Sequence, residues 1–224
     1  MAGLFAGVIA SAFFAWLSLR LEPDGLGVMS IAVHLAMLSV VLNWNSLTRG
    51  ALGIPRIPRL PFLDSVASFA LMGVVISILV FWAVWMLDRS SFGRQLSALA
   101  EHEWHAMSLG INRSFIHLVA FLIAGFGATI SSFIFPQYLT ILHPNEFQFP
   151  VFVFYIMIVV AGKPGSVLGV TISTVLLVIL REALRFVPLA PAVLGPVRVI
   201  LFGLILFVAV WHRRDTLFPQ QRSI

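Results

Sequence analysis

The sequence predicts an all-α integral membrane protein of about six to seven transmembrane helices, and three observations lead there. Of 224 residues, 60% are hydrophobic and only 10% charged, with a mean hydropathy of +1.02. An ordinary soluble domain has about a quarter of its residues charged, and no soluble fold of this length could hide so much apolar surface. The apolar residues also stand in continuous runs without the two-residue alternation of half-buried strands. Finally, a span takes roughly 20 residues, because a helix rises about 1.5 Å per residue through about 30 Å of hydrocarbon. Residues 1–224 therefore read as one transmembrane domain, with a single substantial segment, about 88–114, outside the bilayer.

Taken in order, the first run is Ala2 to Leu19. It lacks the basic opening of a secretory signal, so it reads as a retained span. Leu26 to Trp44, Val66 to Leu87 and Phe115 to Phe135 follow. Three further runs, Phe147 to Ala161, Ser166 to Leu180 and Val199 to Trp211, are each short for a span. Between the first two of these lies Gly162-Lys163-Pro164-Gly165. Backbone polar groups at membrane depth need partners or a wet cavity, so this break is either a tight turn between spans or an interruption in a pore-lining region.

The net charge of +5 comes from residues scattered at helix ends, not from a basic stripe of the kind nucleic acid requires. The absence of cysteine excludes disulfides, thiolate metal sites and cysteine nucleophiles. Arg89, Arg94 and Arg113 sit between Asp88 and Ser114, whereas Pro136 to Gln148 carries no basic residue. The positive-inside rule then places the first segment in the cytoplasm and the second outside. Arg213, Arg214 and Arg222 agree with this orientation, while Arg49, Arg56 and Arg59 fall on the external side against it.

Within 88–114, Leu96, Ala100, Trp104 and Met107 recur at helical spacing beside a polar stripe of Ser97, Glu101, His105 and Ser108. The pattern predicts a short amphipathic helix. Ser90 or Ser91 caps its start, and Gly110 provides a left-handed stop. Such a helix either lies on the membrane surface or docks into a soluble partner, and periodicity alone does not separate the two. His102 and His105 resemble a zincin pair one residue short, which gives the wrong helical spacing for shared metal ligation. His34 and His117 fall in or at the start of spans, where an ionisable side chain is either functional or, the favoured reading, a neutral imidazole hydrogen-bonded to a neighbouring helix. No phosphate-binding loop, nucleophile elbow or pair of intramembrane acids occurs, so the sequence holds no ATP-hydrolysing or catalytic site, no metal site and no cofactor site.

From Phe92 to Asn112 the chain reads FGRQLSALAEHEWHAMSLGIN. It resembles the coupling segment of LivM-type permeases of branched-chain amino acid ABC importers, matching at Phe92, Gly93, Arg94, Ala98, Glu101, Glu103, Ala106, Leu109, Gly110, Ile111 and Asn112. Similar stretches run collinearly: Leu47 to Pro58, Ala120-Phe121, Pro144 with Phe147 and Phe149, Gly162 with Gly165-Ser166, and Arg181-Glu182 with Arg185. The resemblance implies a multi-pass subunit of the bacterial inner membrane. Its coupling segment, through Arg94, Glu101, Glu103, Ala106, Gly110 and Asn112, would sit in a cleft of an ATPase. It also implies two ATP-binding subunits, a second permease, an external solute-binding protein and surrounding lipid as partners, with no nucleic acid. Small residues and polar breaks within the spans put the expected path near Asn43, Thr48, Ser131 and Ser132, and the cargo that the resemblance implies is a branched-chain amino acid or a related small solute such as urea or a short amide.

The departures are specific. Arg49, Arg56 and Lys163 stand where the family usually has glycine, which removes backbone freedom from those turns. Ser97 and Ala100 replace arginines, and His102 and His105 replace aspartate and alanine. Relatives also carry further N-terminal spans. A naturally short variant, half of a split permease, or a non-transporting scaffold that keeps the docking helix are all compatible with the sequence.

Overall fold

The computed structural model describes residues 2–59, 65–184, 186 and 191–212 and is almost wholly helical. Arg185, Arg213, Arg214 and Arg222 lie outside the described residues. The chain falls into two compact units, Met1–Gln148 and Phe149–Ile224.

The first unit contains α1 Ala2–Ser18, α2 Pro23–Asn43, a single turn α3 Asn45–Thr48, and α4 Val66–Asp88. Next come α5 Ser91–Glu101, α6 Glu103–Ser108 and α7 Arg113–Leu139. Pro23 occupies the first turn of α2, where its missing N–H has no helical partner to lose. Ser65 and Ser68 cap α4 reciprocally, the Ser65 hydroxyl accepting from Ser68 N at 3.1 Å and the Ser68 hydroxyl from Ser65 N at 3.3 Å. Gly25–Asn43, Val66–Asp88 and Arg113–Leu139 are each long and apolar enough to cross a bilayer, with Phe5–Ser18 a shorter apolar helix.

Their side chains confirm which solvent they face. On α4 only Phe69 is buried, while Val74, Ile78 and Trp82 stand largely exposed. A water-soluble protein rarely shows contiguous apolar patches beyond a few hundred Å². Hydrocarbon is the medium in which that surface carries no penalty.

With no hydrophobic drive between helices in lipid, close packing of small residues holds them together. The α1–α7 pair follows that rule in antiparallel register. Gly7 faces Thr129, Ser11 faces Gly125, and Ser18 meets His117. A Cβ on Gly125 would coincide with the Ser11 hydroxyl and approach the Gly7 carbonyl to 3.4 Å. At the far end of α7, a two-residue ribbon joins β1 Ile54–Pro55 to β2 Ile141–Leu142, with Ile54 opposite Leu142 and Pro55 opposite Ile141. Gly53, at φ 70°, lets the chain pass against the Leu142 backbone.

The second unit contains α8 Phe149–Gly162, α9 Val167–Ala183 and α10 Pro191–His212. Of the two readings of the Gly162 to Gly165 break, the structure has the tight turn. Gly162 packs so closely on α9 that a Cβ there would stand 2.5 Å from the Val170 Cα, and the Ser166 hydroxyl caps α9 from Gly169 N at 3.1 Å. Phe154, Met157, Ile158 and Leu177 form the core, with Phe202, Ile205 and Leu206 of α10 against it. Arg181 at the end of α9 lays its guanidinium 5.5 Å from the Phe154 ring centre, a cation–π contact that keeps the charge at an apolar surface. Helix α10 is longer than its apolar run, because Pro196 and Arg198, which interrupt the run, lie within its first turns.

Arg49, Arg56 and Lys163, the three positions of lost glycine, all adopt the left-handed conformation, at φ 61°, 60° and 76°. The turns keep the glycine geometry without glycine. Left-handed backbone costs an L-residue about 1–2 kcal/mol, part of which glycine gives back in unfolded-state entropy. Lys163→Gly and Arg49→Gly are thus each expected to stabilise the fold by about 1 kcal/mol, or about 2–4 °C in thermal midpoint in detergent. Gly50→Ala should lower it, since at φ 57° its Cβ would meet Asn45 and the Leu42 carbonyl.

Candidate functional site

The polar segment after α4 differs from the single amphipathic helix that its periodicity predicts. It is two helices, α5 and α6, broken at His102, whose backbone is extended at φ −147° and ψ 91°. The predicted apolar stripe is divided: Leu96, Ala100 and Trp104 are exposed, and Met107 alone of the four packs inward. Leu99, Ala106 and Ile116 of α7 form a small buried core instead, with Phe92, Ala98, Met107 and Ile111 packed on it. Trp104 is 82% exposed, as is Leu109. The two ends behave as predicted: the Ser90 hydroxyl accepts from Gly93 N at 3.3 Å, and Gly110 stops α6 at φ 88°.

The six residues assigned to coupling therefore divide. Ala106, 3% exposed, lies inside the segment's own core. Asn112 caps α7 through its side-chain oxygen, which accepts from Phe115 N at 3.1 Å. Gly110 makes the stop, and Arg94 donates to the Arg89 carbonyl at 3.0 Å. Glu101 is exposed. Glu103 turns back to Arg113, its carboxylate 2.8 Å from Nε in an ion pair that is not an aligned hydrogen bond. What projects outward with Glu101 is Trp104, a member of the predicted apolar stripe, and Leu109, which the periodicity did not mark.

Arg113 reaches further. Its Nη2 donates to the Ser18 carbonyl at 3.2 Å, one of the terminal carbonyls of α1 that no helical N–H satisfies. Ser18 itself donates its hydroxyl to the Ala15 carbonyl at 2.8 Å and stands 3.0 Å from His117 Nδ1. Since the single hydroxyl hydrogen goes to Ala15, Nδ1 carries the hydrogen of that second bond. The His117 side chain is thereby tied to a neighbouring helix, as its place at a span start predicted.

At the other end of α7, 27 residues or about 40 Å away, a cavity of about 350 Å³ opens beneath the β1–β2 ribbon. Its walls are His34, Met37, Leu38 and Val41 of α2, with Thr48, Ile54, Leu142 and Phe147 above. The Thr48 hydroxyl is shared between the Val41 and Trp44 carbonyls at 2.6 and 2.8 Å and accepts from Gly50 N. Of the four predicted path residues, Thr48 lines this cavity. Asn43 ends α2 with its amide on the Ser39 carbonyl at 2.8 Å. Ser131 and Ser132 are exposed on α7, Ser132 bonded to the Thr129 carbonyl at 2.9 Å, and neither borders the cavity. His34 and Phe147 were not among the predicted path residues, and only their convergence in space marks them.

Residues 1–210 match the family described as branched-chain amino acid transport system / permease component. The high-affinity branched-chain amino acid transport system permease protein LivM of Salmonella typhimurium is 28% identical, over 91% of this chain and 53% of its own length. LivM of Escherichia coli is 28% identical, over 99% of this chain and 57% of its own length. The autoinducer 2 import system permease protein LsrC of Shigella flexneri is 26% identical over 59% of this chain and 37% of its own. This chain thus spans about half the length of the LivM relatives. No solved structure matches.

Proposed function

Because this chain belongs to the branched-chain amino acid transport permease family, we propose that it is a membrane subunit of an ATP-driven importer, working with two ATPase subunits, a second permease and an external solute-binding protein. The observation that carries this reading is the segment from Ser90 to Asn112. It is folded on its own core at one end of a membrane-length helix, and it turns Trp104 and Leu109 outward. A cytoplasmic ATPase gripping those side chains would be in position to pull on the spans.

The cargo is a small solute delivered from the side of the β1–β2 ribbon. The mainly apolar walls of the cavity there favour an aliphatic side chain over urea or a short amide. Replacement of the family's coupling arginines by Ser97 and Ala100 favours a second reading, a scaffold that docks an ATPase without moving solute. Affinity purification from the native membrane, followed by reconstitution, separates the two. Recovery of an ATPase pair and a second permease, with ATP-dependent uptake of labelled leucine, is the expected result. Recovery with partners but no uptake favours the scaffold, and recovery with no ATPase overturns both.

A further inference from the structure

Any displacement imposed on α6 has to reach the spans by some route. Toward α7 there are two: the short linker from Leu109 to Asn112, and the contact of Leu99 and Ala106 with Ile116. Toward α1 the polar bridge is Arg113, whose guanidinium is ion-paired with the Glu103 carboxylate and donates Nη2 to the last turn of α1. Glu103 is the neighbour of Trp104 on the same one-and-a-half-turn helix, so movement of the outward indole is movement of the carboxylate.

Resting on the transporter reading above, we infer that Arg113 is a positioning residue that conveys the displacement of α6 to α1. The chemistry suits a guanidinium in particular. Its charge is spread over a plane, so the Nε edge can ion-pair with a carboxylate while a separate Nη2–H donates to a carbonyl, whereas a lysine ammonium is a single point on a flexible stem. The carbonyl it takes on α1 is at the negative end of the helix dipole, which favours a cation there. Beyond Ser18, α1 packs on α7 through Ser11 and Gly7 with no large side chains between the backbones. A push on its end is therefore carried along the helix rather than absorbed by side-chain rearrangement. Arg113 thus joins the outward surface of α6 to the helix pair that crosses the membrane.

The test uses the complete assembly in vesicles, comparing labelled leucine taken up with ATP hydrolysed for the unaltered chain, Arg113→Lys and Glu103→Gln. Both variants are expected to lower leucine moved per ATP about tenfold, with the ATPase subunits still co-purifying with Arg113→Lys. A purely electrostatic or structural role would be met by lysine. An unchanged ratio in both variants, or a fall in uptake matched by an equal fall in hydrolysis, overturns the inference while leaving the transporter reading intact. If the unaltered assembly itself hydrolyses ATP without uptake, the transporter reading fails and the inference with it.

Discussion

Gly125→Leu is expected to destabilise the chain by about 3 kcal/mol, seen as a thermal midpoint about 6–12 °C lower in detergent and loss of the monodisperse peak on gel filtration. The Ser11 hydroxyl occupies the place a Cβ would take, and the Gly7 carbonyl stands 3.4 Å from it. Neither can yield cheaply. Ser11 is buried with its hydroxyl bonded to the Gly7 carbonyl at 2.7 Å, and moving that carbonyl means moving α1. Separation of α1 from α7 would also uncover Ala15 and draw Ser18 away from His117 and Arg113. Gly127 is the control. It lies two residues along the same helix, and a Cβ there meets nothing within 4 Å, so Gly127→Leu should shift stability by no more than about 0.5 kcal/mol. Equal effects at the two positions would mean that helix propensity, not the α1–α7 crossing, governs the result.

Hydropathy alone located the helices, because a span must be apolar whatever it packs against. Each of the seven predicted runs is a helix, and the discrepancies have local causes. The run ending at Phe135 stops before Pro136, yet α7 continues to Leu139, since a proline inside a helix costs one hydrogen bond and a kink rather than the helix itself. The left-handed turns at Arg49, Arg56 and Lys163 were legible only through the glycine of the resembling family, because nothing in an arginine or lysine signals positive φ. The inner face of the 90–112 segment was not legible. Periodicity marked an apolar stripe of which the structure leaves Leu96, Ala100 and Trp104 exposed, and it did not mark Leu99 and Ala106, which the structure buries. Placements across many residues, such as Arg113 against Ser18 and His34 in one cavity wall with Phe147, depend on which spans are neighbours, and a single sequence is silent on that.

The exposure of Trp104 sets the second large expectation. If an ATPase holds this segment, Trp104→Ala should weaken its capture by at least about thirtyfold, and the pair Trp104→Ala with Leu109→Ala should weaken it further, as for the aromatic centre of an interface. Both side chains are 82% exposed, so neither truncation removes a contact that holds the fold, and the thermal midpoint should be unchanged. Ala106→Leu should do the opposite. At 3% exposure beside Leu99 and Ile116 there is no room for the added carbons, and stability should fall by about 1–3 kcal/mol. Titrating purified ATPase subunits against the chain in detergent micelles also separates docking from a bilayer-surface role. A helix whose outward tryptophan only rests among lipid headgroups gives the same ATPase affinity with and without Trp104, and that outcome would remove the segment as the point at which ATP hydrolysis acts on the spans.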